Sequence, residues 1–440
     1  MKSRPPPSSQ AFSGLTPEGP LGIKESPASA DRQDARASPP QLPEKILLIA
    51  PQPFYESRGT PIAVLMVLRA LTELGIRVDL LTYPVGETIA IPGVSYLRVV
   101  NPLGFKSVPV SFSARKVFLD VLLAVKLFKL LRRSEYRFIH AVEESAFLAV
   151  ALRFLHRTPI LYDMASSLPE QLALKWYFRP KPILALTRFL ERWLLSRVDY
   201  VVASAGLRAS ELVAATVPVR EWVFPAPIAV PNAAAVAALR SELEIPRDAK
   251  VVLYAGTFAS YQGIDQLLAC VSSVASAHPS AVFLLAGAQG VDEARDVLAS
   301  VASPFGFHVR VLPRQDKERM PLFFALADML VSPRRFGNNV PLKIFEYLAA
   351  GKPIVATDIA AHSAVLNADI ALLVQPDAQG LADGISRILG DTALAQRLAR
   401  AARSYAEERL SWKHFLSFVD DFSQHLARDG TRTERAEQRR

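Results

Sequence analysis

The chain has 440 residues, half of them hydrophobic, so it is long enough to form two domains with cores of their own. Its net charge of +9 favours anionic partners such as nucleotides, lipid phosphates and membrane surfaces. The sequence has no zinc-finger spacing, no aromatic RNA-binding motif and no isolated basic helix, so nucleic acid is not an expected partner. The single cysteine, Cys270, excludes an intrachain disulfide and, with no apolar leader segment, predicts a cytoplasmic protein.

The first 44 residues are rich in proline and contain one aromatic residue, Phe12. A segment of this composition cannot bury enough apolar surface to fold, so residues 1–44 are predicted to be a disordered tail. Order is expected to begin at Lys45 with the apolar run KILLIAP, which indicates a buried parallel strand.

Residues 45–215 repeat a strand–loop–helix pattern and are predicted to form the first domain. The opening strand is followed by a loop with Gly59, a helical pattern that stops at Gly75, and a second strand. This is the opening unit of a Rossmann-like domain. The glycine fingerprint of dinucleotide-binding proteins is absent. Gly59 is therefore either an ordinary turn residue or a point where the backbone approaches a ligand.

Polar residues follow two later strands of this domain. His140 ends the strand RFIH, with Glu143 and Glu144 just beyond it, and Asp163 ends the strand TPILYD. Because ligands of open α/β sheets bind beyond the carboxyl ends of the strands, these residues are candidates for a site. The alternative for a single histidine at a strand end is a packed or capping residue.

Two helical segments, 112–133 and 176–197, combine many apolar residues with arginine and lysine. The pattern is typical of a helix that lies on a membrane surface. A helix that packs on the sheet with its arginines outward has the same composition, so both interpretations stay open. The membrane interpretation predicts peripheral contact with the inner face of a membrane.

Residues 216–248 contain five prolines and little periodicity, and they are predicted to be a linker. The second domain, 249–395, restarts the pattern with the strand KVVLYAG and a loop that holds Gly256 and Thr257. Gly256 permits a close approach of the backbone to a phosphate.

The most informative stretch is 332–358, SPRRFGNNVPLKIFEYLAAGKPIVATD. It predicts a strand end, a polar loop, a helix that begins near Pro341 and ends at Gly351, and a further strand. Lys343 and Glu346 share one helix face. The helix N-terminus, Lys343 and the loop arginines suit a phosphate or diphosphate, and Glu346 suits a pair of sugar or ribose hydroxyls. The alternative is a surface helix with a solvated Lys–Glu pair.

This stretch resembles the donor-site segment of the retaining GT-B glycosyltransferases of family 4, in the subgroup with the motif P-L-K-x-[FY]-E-Y-L-A-x-G-K-P-I-V-A-T. The stretches HAVEES and YDMASSLP are similar to segments of the same subgroup. The resemblance covers about residues 45–427 and implies an α/β protein with the GT-B fold, two Rossmann-like domains facing across a cleft. It also implies a helix over 396–427 that crosses back to the first domain. The charged residues 428–440 are predicted to be a frayed tail.

The implied reaction is transfer of a sugar from a nucleotide diphosphate sugar to a hydroxyl of a glycan or lipid-linked acceptor, with retention of configuration. The enzyme is expected to be a hexosyltransferase of polysaccharide or glycolipid biosynthesis. The resemblance implies no metal and no other cofactor, so protein cations and amides must stabilise the leaving diphosphate.

The resemblance also implies roles for individual residues. Glu346 matches the second glutamate of the family, which binds the ribose, and His140 is implied to lie close to the reacting sugar. The predicted catalytic residues are His140, Lys343 and Arg334. The predicted donor-binding residues are Gly59, Gly256, Thr257, Asn338, Asn339 and Glu346. The predicted acceptor-binding residues are Glu143, Glu144 and Asp163.

Two positions depart from the family pattern. Gln262 stands where many members carry a lysine, and Asn338 stands where many carry the first glutamate. We infer that Arg334 and Lys343 supply the missing positive charge. The departures leave two alternatives open, a degenerate GT-B scaffold without catalysis and a nucleotide-sugar 2-epimerase. The sequence does not determine the sugar, the base, the acceptor or the oligomeric state.

Overall fold

Two parallel β-sheets, each packed against helices, organise the chain. The structure, a computed structural model, describes residues 45–56, 59–109, 113–173, 180–207, 209, 217–301 and 304–437. The predicted disordered tail, 1–44, lies outside the described residues. Within these ranges, no helix is both long enough and apolar enough to cross a membrane.

The first sheet has seven parallel strands within the described ranges, in the spatial order β3-β2-β1-β4-β5-β6-β7. They are β1 (Lys45–Ala50), β2 (Arg77–Thr82), β3 (Val94–Arg98), β4 (Ile139–Val142), β5 (Ile160–Met164), β6 (Tyr200–Ser204) and β7 (Val219–Trp222). The inner strands are short apolar runs because both of their faces are covered. In register, Leu48 of β1 lies beside His140 of β4, which lies beside Leu161 of β5.

Five helices of the described chain surround this sheet. They are α1 (Gly59–Glu73), α2 (Ala114–Leu131), α3 (Ser145–Ala151), α4 (Leu168–Ala173) and α5 (Lys181–Leu195). Alternate residues of β1 point to two separate cores, Leu48 towards α1 and Leu47 towards α2, α3 and α5. Ser113 caps α2 by accepting a hydrogen bond from the Lys116 amide, and leucines four residues apart bury one face of the helix.

The second sheet has six parallel strands within the described ranges, in the order β10-β9-β8-β11-β12-β13. They are β8 (Lys250–Ala255), β9 (Ala281–Ala288), β10 (Val309–Pro313), β11 (Met329–Ser332), β12 (Ile354–Thr357) and β13 (Leu372–Val374). The remaining helices are α6 (Ala233–Glu242), α7 (Ile264–Ala277), α8 (Val291–Ala299), α9 (Met320–Leu326), α10 (Leu342–Ala350), α11 (Ala360–Ser363), α12 (Ala378–Gly390), α13 (Thr392–Arg409) and α14 (Trp412–Glu437). The strand order reverses beside β1 in the first sheet and beside β8 in the second, which is where such sheets form ligand crevices. The two sheets confirm the predicted α/β class with two Rossmann-like domains.

The stretch predicted to be a linker, 216–248, contains regular structure. Its strand β7 extends the edge of the first sheet, where Trp222 lies beside Ser204 of β6. Helix α6 follows Asn232, whose side chain caps it. The prolines around β7 led to the prediction of a linker. Proline is nevertheless tolerated next to and within edge strands, and β7 is an edge strand. The first sheet therefore continues past residue 215.

The C-terminal region contains two helices where the sequence predicted one. Asp391 caps α13, which ends at Arg409, and α14 begins at Trp412 and continues to Glu437, through the segment predicted to be frayed. Helix α14 packs on the first domain: the centre of the Phe422 ring lies 6.4 Å from the centre of the ring of Phe138, the residue before β4. At the start of α14 the Trp412 indole donates a hydrogen bond of 2.8 Å to the carboxylate of Glu73 in α1. Helix α14 therefore connects the C-terminal region to the first domain.

Candidate active site

Helix α10 begins beyond the carboxyl ends of β8 and β11, the two strands at the reversal point of the second sheet. Pro341 stands immediately before the helix, in an extended conformation, and no side chain caps the helix. Proline lacks the amide that a helical position would use, so it suits the start of this helix. The uncapped first turn leaves backbone amides and the positive end of the helix dipole available to an anion.

Lys343, in the first turn of α10, extends towards the end of β8. Its Nζ donates a hydrogen bond of 3.0 Å to Gln262 Oε1 and lies 4.2 Å from the centre of the Tyr254 ring. A methyl group added at Gly256 would come within 3.0 Å of the same nitrogen, and the φ angle of Gly256 is +142°. Glycine at 256 therefore leaves space for the lysine head group and gives the loop its backbone conformation.

The charge of Lys343 is tuned by its surroundings. Burial, followed by the nearby positive charge of Arg334, lowers the pKa of Lys343 to about 7, while the Glu346 carboxylate opposes the shift. The lysine is thus only partly protonated at neutral pH. An anion bound next to it would favour the protonated form, so the site is suited to a strongly negative ligand.

Glu346 lies one turn further along the same face of α10. Burial raises the pKa of its carboxyl group, and the positive charges of Lys317 and Lys343 oppose that shift. The neighbouring residues Phe345 and Tyr347 point into the core, and the Tyr347 hydroxyl accepts a hydrogen bond of 2.9 Å from the Ala255 amide. This packing fixes α10 against β8 and holds the polar face towards the crevice.

Arg334, predicted to face the leaving diphosphate, instead organises its own loop. It is 7% exposed, and its guanidinium donates hydrogen bonds to the carbonyl oxygens of Phe336 and Asn339 and to Asn339 Oδ1, each at 2.9 to 3.0 Å. A Cβ atom at Gly337 would lie 2.4 Å from the same guanidinium. These bonds use three of the five donors of the guanidinium and stabilise the loop, and the predicted roles of Arg334 at the diphosphate and of Asn339 at the donor stay predictions.

The loop after β11 also joins the two domains. The Val340 amide donates a hydrogen bond of 3.2 Å to Ser204 Oγ at the end of β6. A Cβ atom at Gly206 would lie 2.4 Å from the Asn338 carbonyl oxygen, and the φ angle of Gly206 is +88°. The predicted donor residue Asn338 is therefore part of the contact between the domains.

The other predicted donor residues lie at the starts of loops or helices. Gly59 is the first residue of α1, and no described atom lies within 4 Å of a Cβ built there, so its surface is open. Thr257 is exposed, and its carbonyl oxygen accepts a hydrogen bond of 2.7 Å from the Tyr254 hydroxyl. That bond anchors the loop that follows β8.

His140 does not reach the crevice. It is fully buried, its Nε2 lies 3.0 Å from Asp163 Oδ2, and Asp163 Oδ1 accepts a hydrogen bond of 2.7 Å from the Trp222 indole. The imidazole stacks against Trp222 and contacts Phe422 of α14 edge-on. This arrangement does not support the predicted position of His140 beside the sugar or of Asp163 at the acceptor, because α14 covers that face of β4.

Glu143 and Glu144 do lie at the carboxyl edge of the first sheet. Glu143 has a φ angle of +51°, and its carboxylate accepts a hydrogen bond of 3.2 Å from Ser166 Oγ. Burial and the neighbouring charge of Glu144 raise the pKa of Glu143 to about 7. Glu144 forms an ion pair with Lys116 of α2. The sequence did not indicate Lys116, because it lies on α2, an element distant along the chain from Glu144.

Within the described residues, no three or more His, Cys, Asp and Glu side chains are grouped so that they could hold a metal ion. The predicted independence from a metal stays a prediction.

Comparison with solved structures identifies the fold. Sucrose-phosphate synthase from Thermosynechococcus elongatus superposes with a TM-score of 0.70 and 22% sequence identity, over 87% of this chain and 98% of that chain. Anabaena Alr3699/HepE in complex with UDP-glucose gives a TM-score of 0.65 and 17% identity, over 87% of this chain and 99% of that chain. The fold is therefore GT-B, with two Rossmann-like domains facing across a cleft, as predicted.

Family comparisons identify the domains. Residues 58–220 match the model of Glycosyltransferase Family 4, and residues 236–405 match the model of Glycosyl transferases group 1. The two models thus match the first and the second domain separately, each over less than half of the chain.

Two curated relatives match part of the chain. Phosphatidyl-myo-inositol mannosyltransferase of Mycobacterium tuberculosis is 26% identical over 229 residues, 49% of this chain and 59% of that protein. D-inositol 3-phosphate glycosyltransferase of Xylanimonas cellulosilytica is 30% identical over 187 residues, 41% of this chain and 43% of that protein. The chain spans about half the length of the curated relatives it matches.

Proposed function

We propose that the protein is a glycosyltransferase that moves a sugar from a nucleoside diphosphate sugar to an acceptor hydroxyl, with retention of configuration. One observation carries the proposal: the Lys343 amine, the uncapped start of α10 and the backbone at Gly256 meet at the carboxyl ends of β8 and β11. They supply a cation, free amides and a close backbone approach, which together suit a diphosphate.

The relatives support a hexose donor and a lipid or glycan acceptor. One is a phosphatidyl-myo-inositol mannosyltransferase, and the solved neighbour HepE was crystallised with UDP-glucose. We therefore propose a hexosyltransferase that acts on a hydroxyl of a glycan or lipid-linked molecule, in the cytoplasm.

The residues of α10 would act on the leaving group. When the bond between the sugar and the diphosphate breaks, negative charge accumulates on the diphosphate oxygens. The protonated Lys343 amine and the first-turn amides of α10 stabilise that charge, and preorganised donors of this kind contribute most where charge develops. The Glu346 carboxylate accepts hydrogen bonds from the ribose hydroxyls. In this proposal no metal ion is needed.

The test of the donor site is a thermal-shift screen of UDP, GDP and their sugars, with magnesium or with EDTA. A ligand at about 100 times its Kd stabilises the folded protein by roughly 2.7 kcal/mol. We expect one diphosphate to raise the melting temperature equally in magnesium and EDTA, and Glu346→Ala to lose the shift. A shift that requires magnesium would contradict the metal-free proposal.

Two outcomes would favour the alternatives. Absence of a shift with every nucleotide would favour a degenerate scaffold, for which the engagement of Arg334 and Asn338 in structural contacts is the supporting observation. Conversion of the donor to an isomeric sugar nucleotide without any acceptor would instead show an epimerase.

We also propose that the first domain contacts an anionic membrane through α2 and α5. Both helices bury one face on the same core and leave apolar residues exposed on the other. These are Val117, Val121 and Val125 on α2 and Leu186 and Phe189 on α5, each 44% to 62% exposed. Exposed cations accompany them: Lys129 and Arg132 on or next to α2, and Lys181, Arg188 and Arg192 on α5.

The acidic residues of these two helices do not oppose that contact. Asp120 accepts a hydrogen bond from the Tyr83 hydroxyl, and Glu191 is 4% exposed and accepts from the Leu168 amide. The outer surface thus combines apolar side chains with positive charge, the pattern that binds anionic lipid.

Flotation with liposomes tests the membrane proposal. We expect binding to vesicles that contain phosphatidylglycerol and none to pure phosphatidylcholine. Val121→Ser combined with Lys129→Gln and Arg132→Gln should release the protein, whereas neutralising Arg397 and Arg400 of α13 in the second domain should not. If the α2 substitutions and the α13 substitutions release the protein equally, the attraction to the vesicles is a nonspecific charge effect and α2 is not a membrane-binding element.

A further inference from the structure

Gln262 is the hydrogen-bond partner of Lys343, and the sequence marks it only as a departure from the family pattern. It ends a short 3-10 turn, Ser260–Gln262, and is 7% exposed. Its Oε1 accepts the hydrogen bond of 3.0 Å from Lys343 Nζ. A buried glutamine that accepts from a lysine of another element fixes the position of that lysine.

The backbone under Gln262 is itself fixed. The φ angle of Gly263 is +74°, and a Cβ atom there would lie 1.9 Å from the Pro333 carbonyl oxygen. The Arg335 amide donates a hydrogen bond of 3.0 Å to the Tyr261 carbonyl oxygen. The loop after β8 is therefore locked to the loop after β11 on both sides of Gln262, so its side chain starts from a defined point.

Gln262 accepts a hydrogen bond from Lys343 without neutralising it, because the amide group of glutamine has no net charge. Within the described chain, Lys343 forms no ion pair with a carboxylate at salt-bridge distance, and its other close neighbour is the Tyr254 ring. A glutamate at 262 would neutralise the ammonium group, and a second lysine would repel it. A glutamine holds the ammonium group in place and leaves its charge available.

We propose that Gln262 is a positioning residue of the donor site: it holds the Lys343 ammonium group beside Gly256 and leaves its charge free to pair with a diphosphate. This inference rests on the proposed function, since it requires that a nucleoside diphosphate binds there. It assigns the cation of the donor site to a lysine of α10. Gln262 acts through Lys343 and needs no ligand contact of its own.

A double-mutant cycle separates this role from a purely structural one. The variants are Gln262→Met and Lys343→Met, which keep the length of the side chains, alone and combined. Isothermal titration calorimetry of the full chain with UDP and with GDP gives the affinities. We expect Gln262→Met to weaken the binding of the tighter nucleotide by about fivefold or more. In the Lys343→Met background the same substitution should weaken binding by less than about twofold, because the effects of coupled residues are not additive.

A charge variant sharpens the test. Gln262→Glu keeps the shape of the side chain but introduces a carboxylate that pairs with Lys343. It should therefore weaken the binding of the nucleoside diphosphate more than Gln262→Met does. Uridine or guanosine, which carry no phosphate, should bind to both variants as they do to the wild type. A structural defect of the loop would change nucleoside and diphosphate binding together.

The outcomes distinguish this inference from the proposed function. If the wild type binds neither UDP nor GDP, the proposed function fails and the inference fails with it. If the wild type binds a nucleotide but Gln262→Met reduces the affinity by the same factor with Lys343 present and with Lys343→Met, only the inference is overturned. Melting temperatures verify folding, and if Gln262→Met does not fold, Gln262→Asn, which keeps the amide and shortens its reach, replaces it in the cycle.

Discussion

Two clusters of polar residues, one around Lys343 in the second domain and one around His140 in the first, differ in what covers them. Lys343 lies beyond the carboxyl ends of β8 and β11, whereas His140 is the second residue of β4, and each contacts a polar residue at 3.0 Å. Lys343 is half-buried at a crevice beside a glycine, whereas His140 is fully buried under Phe422 of α14. A polar residue on or beyond a central strand can therefore form a site only where no other element covers it.

Removal of the charge in the uncovered cluster should have the largest effect. Lys343→Met is expected to reduce turnover by about 100- to 1,000-fold, the range seen when one donor to a developing negative charge is lost. Initial rates with the donor found in the nucleotide screen measure the effect. The melting temperature should stay within a few degrees of the wild type, since the lysine head group lies at the crevice. Turnover near that of the wild type would contradict the assigned role.

A substitution in the covered cluster around His140 should lower the stability of the protein without reducing its activity. His140→Ala leaves Asp163 Oδ2 without its hydrogen-bond partner and opens a cavity under α14, which should cost about 3 kcal/mol or more of unfolding free energy. Urea denaturation measures this cost, and turnover per folded molecule should change by less than about twofold. A large drop in turnover in a stable protein would restore the sequence-based prediction that His140 lies beside the sugar.

Glu346 should show a smaller effect, limited to donor affinity. Glu346→Gln removes the negative charge and half of the acceptor capacity of the side chain, so a diphosphate nucleotide should bind about tenfold more weakly. Calorimetry with the ribonucleotide and its 2′-deoxy form checks the contact. The deoxy form should bind the variant and the wild type more equally than the ribonucleotide does. An unchanged difference between the two forms would show that Glu346 does not reach the ribose.

The pH dependence of binding should reveal the lowered pKa of Lys343. Because this pKa is about 7 in the free protein, the cation is fully present below that pH and is lost as the pH rises through it. Bound diphosphate favours the protonated form, so affinity should fall above pH 7 by up to about tenfold per pH unit. Lys343→Met should flatten this part of the profile. A wild-type profile that is flat between pH 7 and 9 would place the pKa of Lys343 elsewhere.

The sequence alone predicted the local elements and an anion site at the start of α10. Apolar runs such as KILLIAP predicted the buried strands, and the stretch around Lys343 and Glu346 predicted a loop, a helix and a phosphate-binding N-terminus, because those features depend on neighbours within a few residues. The same local signals carried the family resemblance and the two-domain fold.

The tertiary structure decided which polar residues meet and which are sealed. The burial of His140 depends on Trp222 of β7 and Phe422 of α14. The partnership of Gln262 with Lys343 likewise joins two separate loops. Sequence patterns report the face of a helix or strand, but contacts between distant elements arise only when the chain folds, and those contacts separate a site from a core.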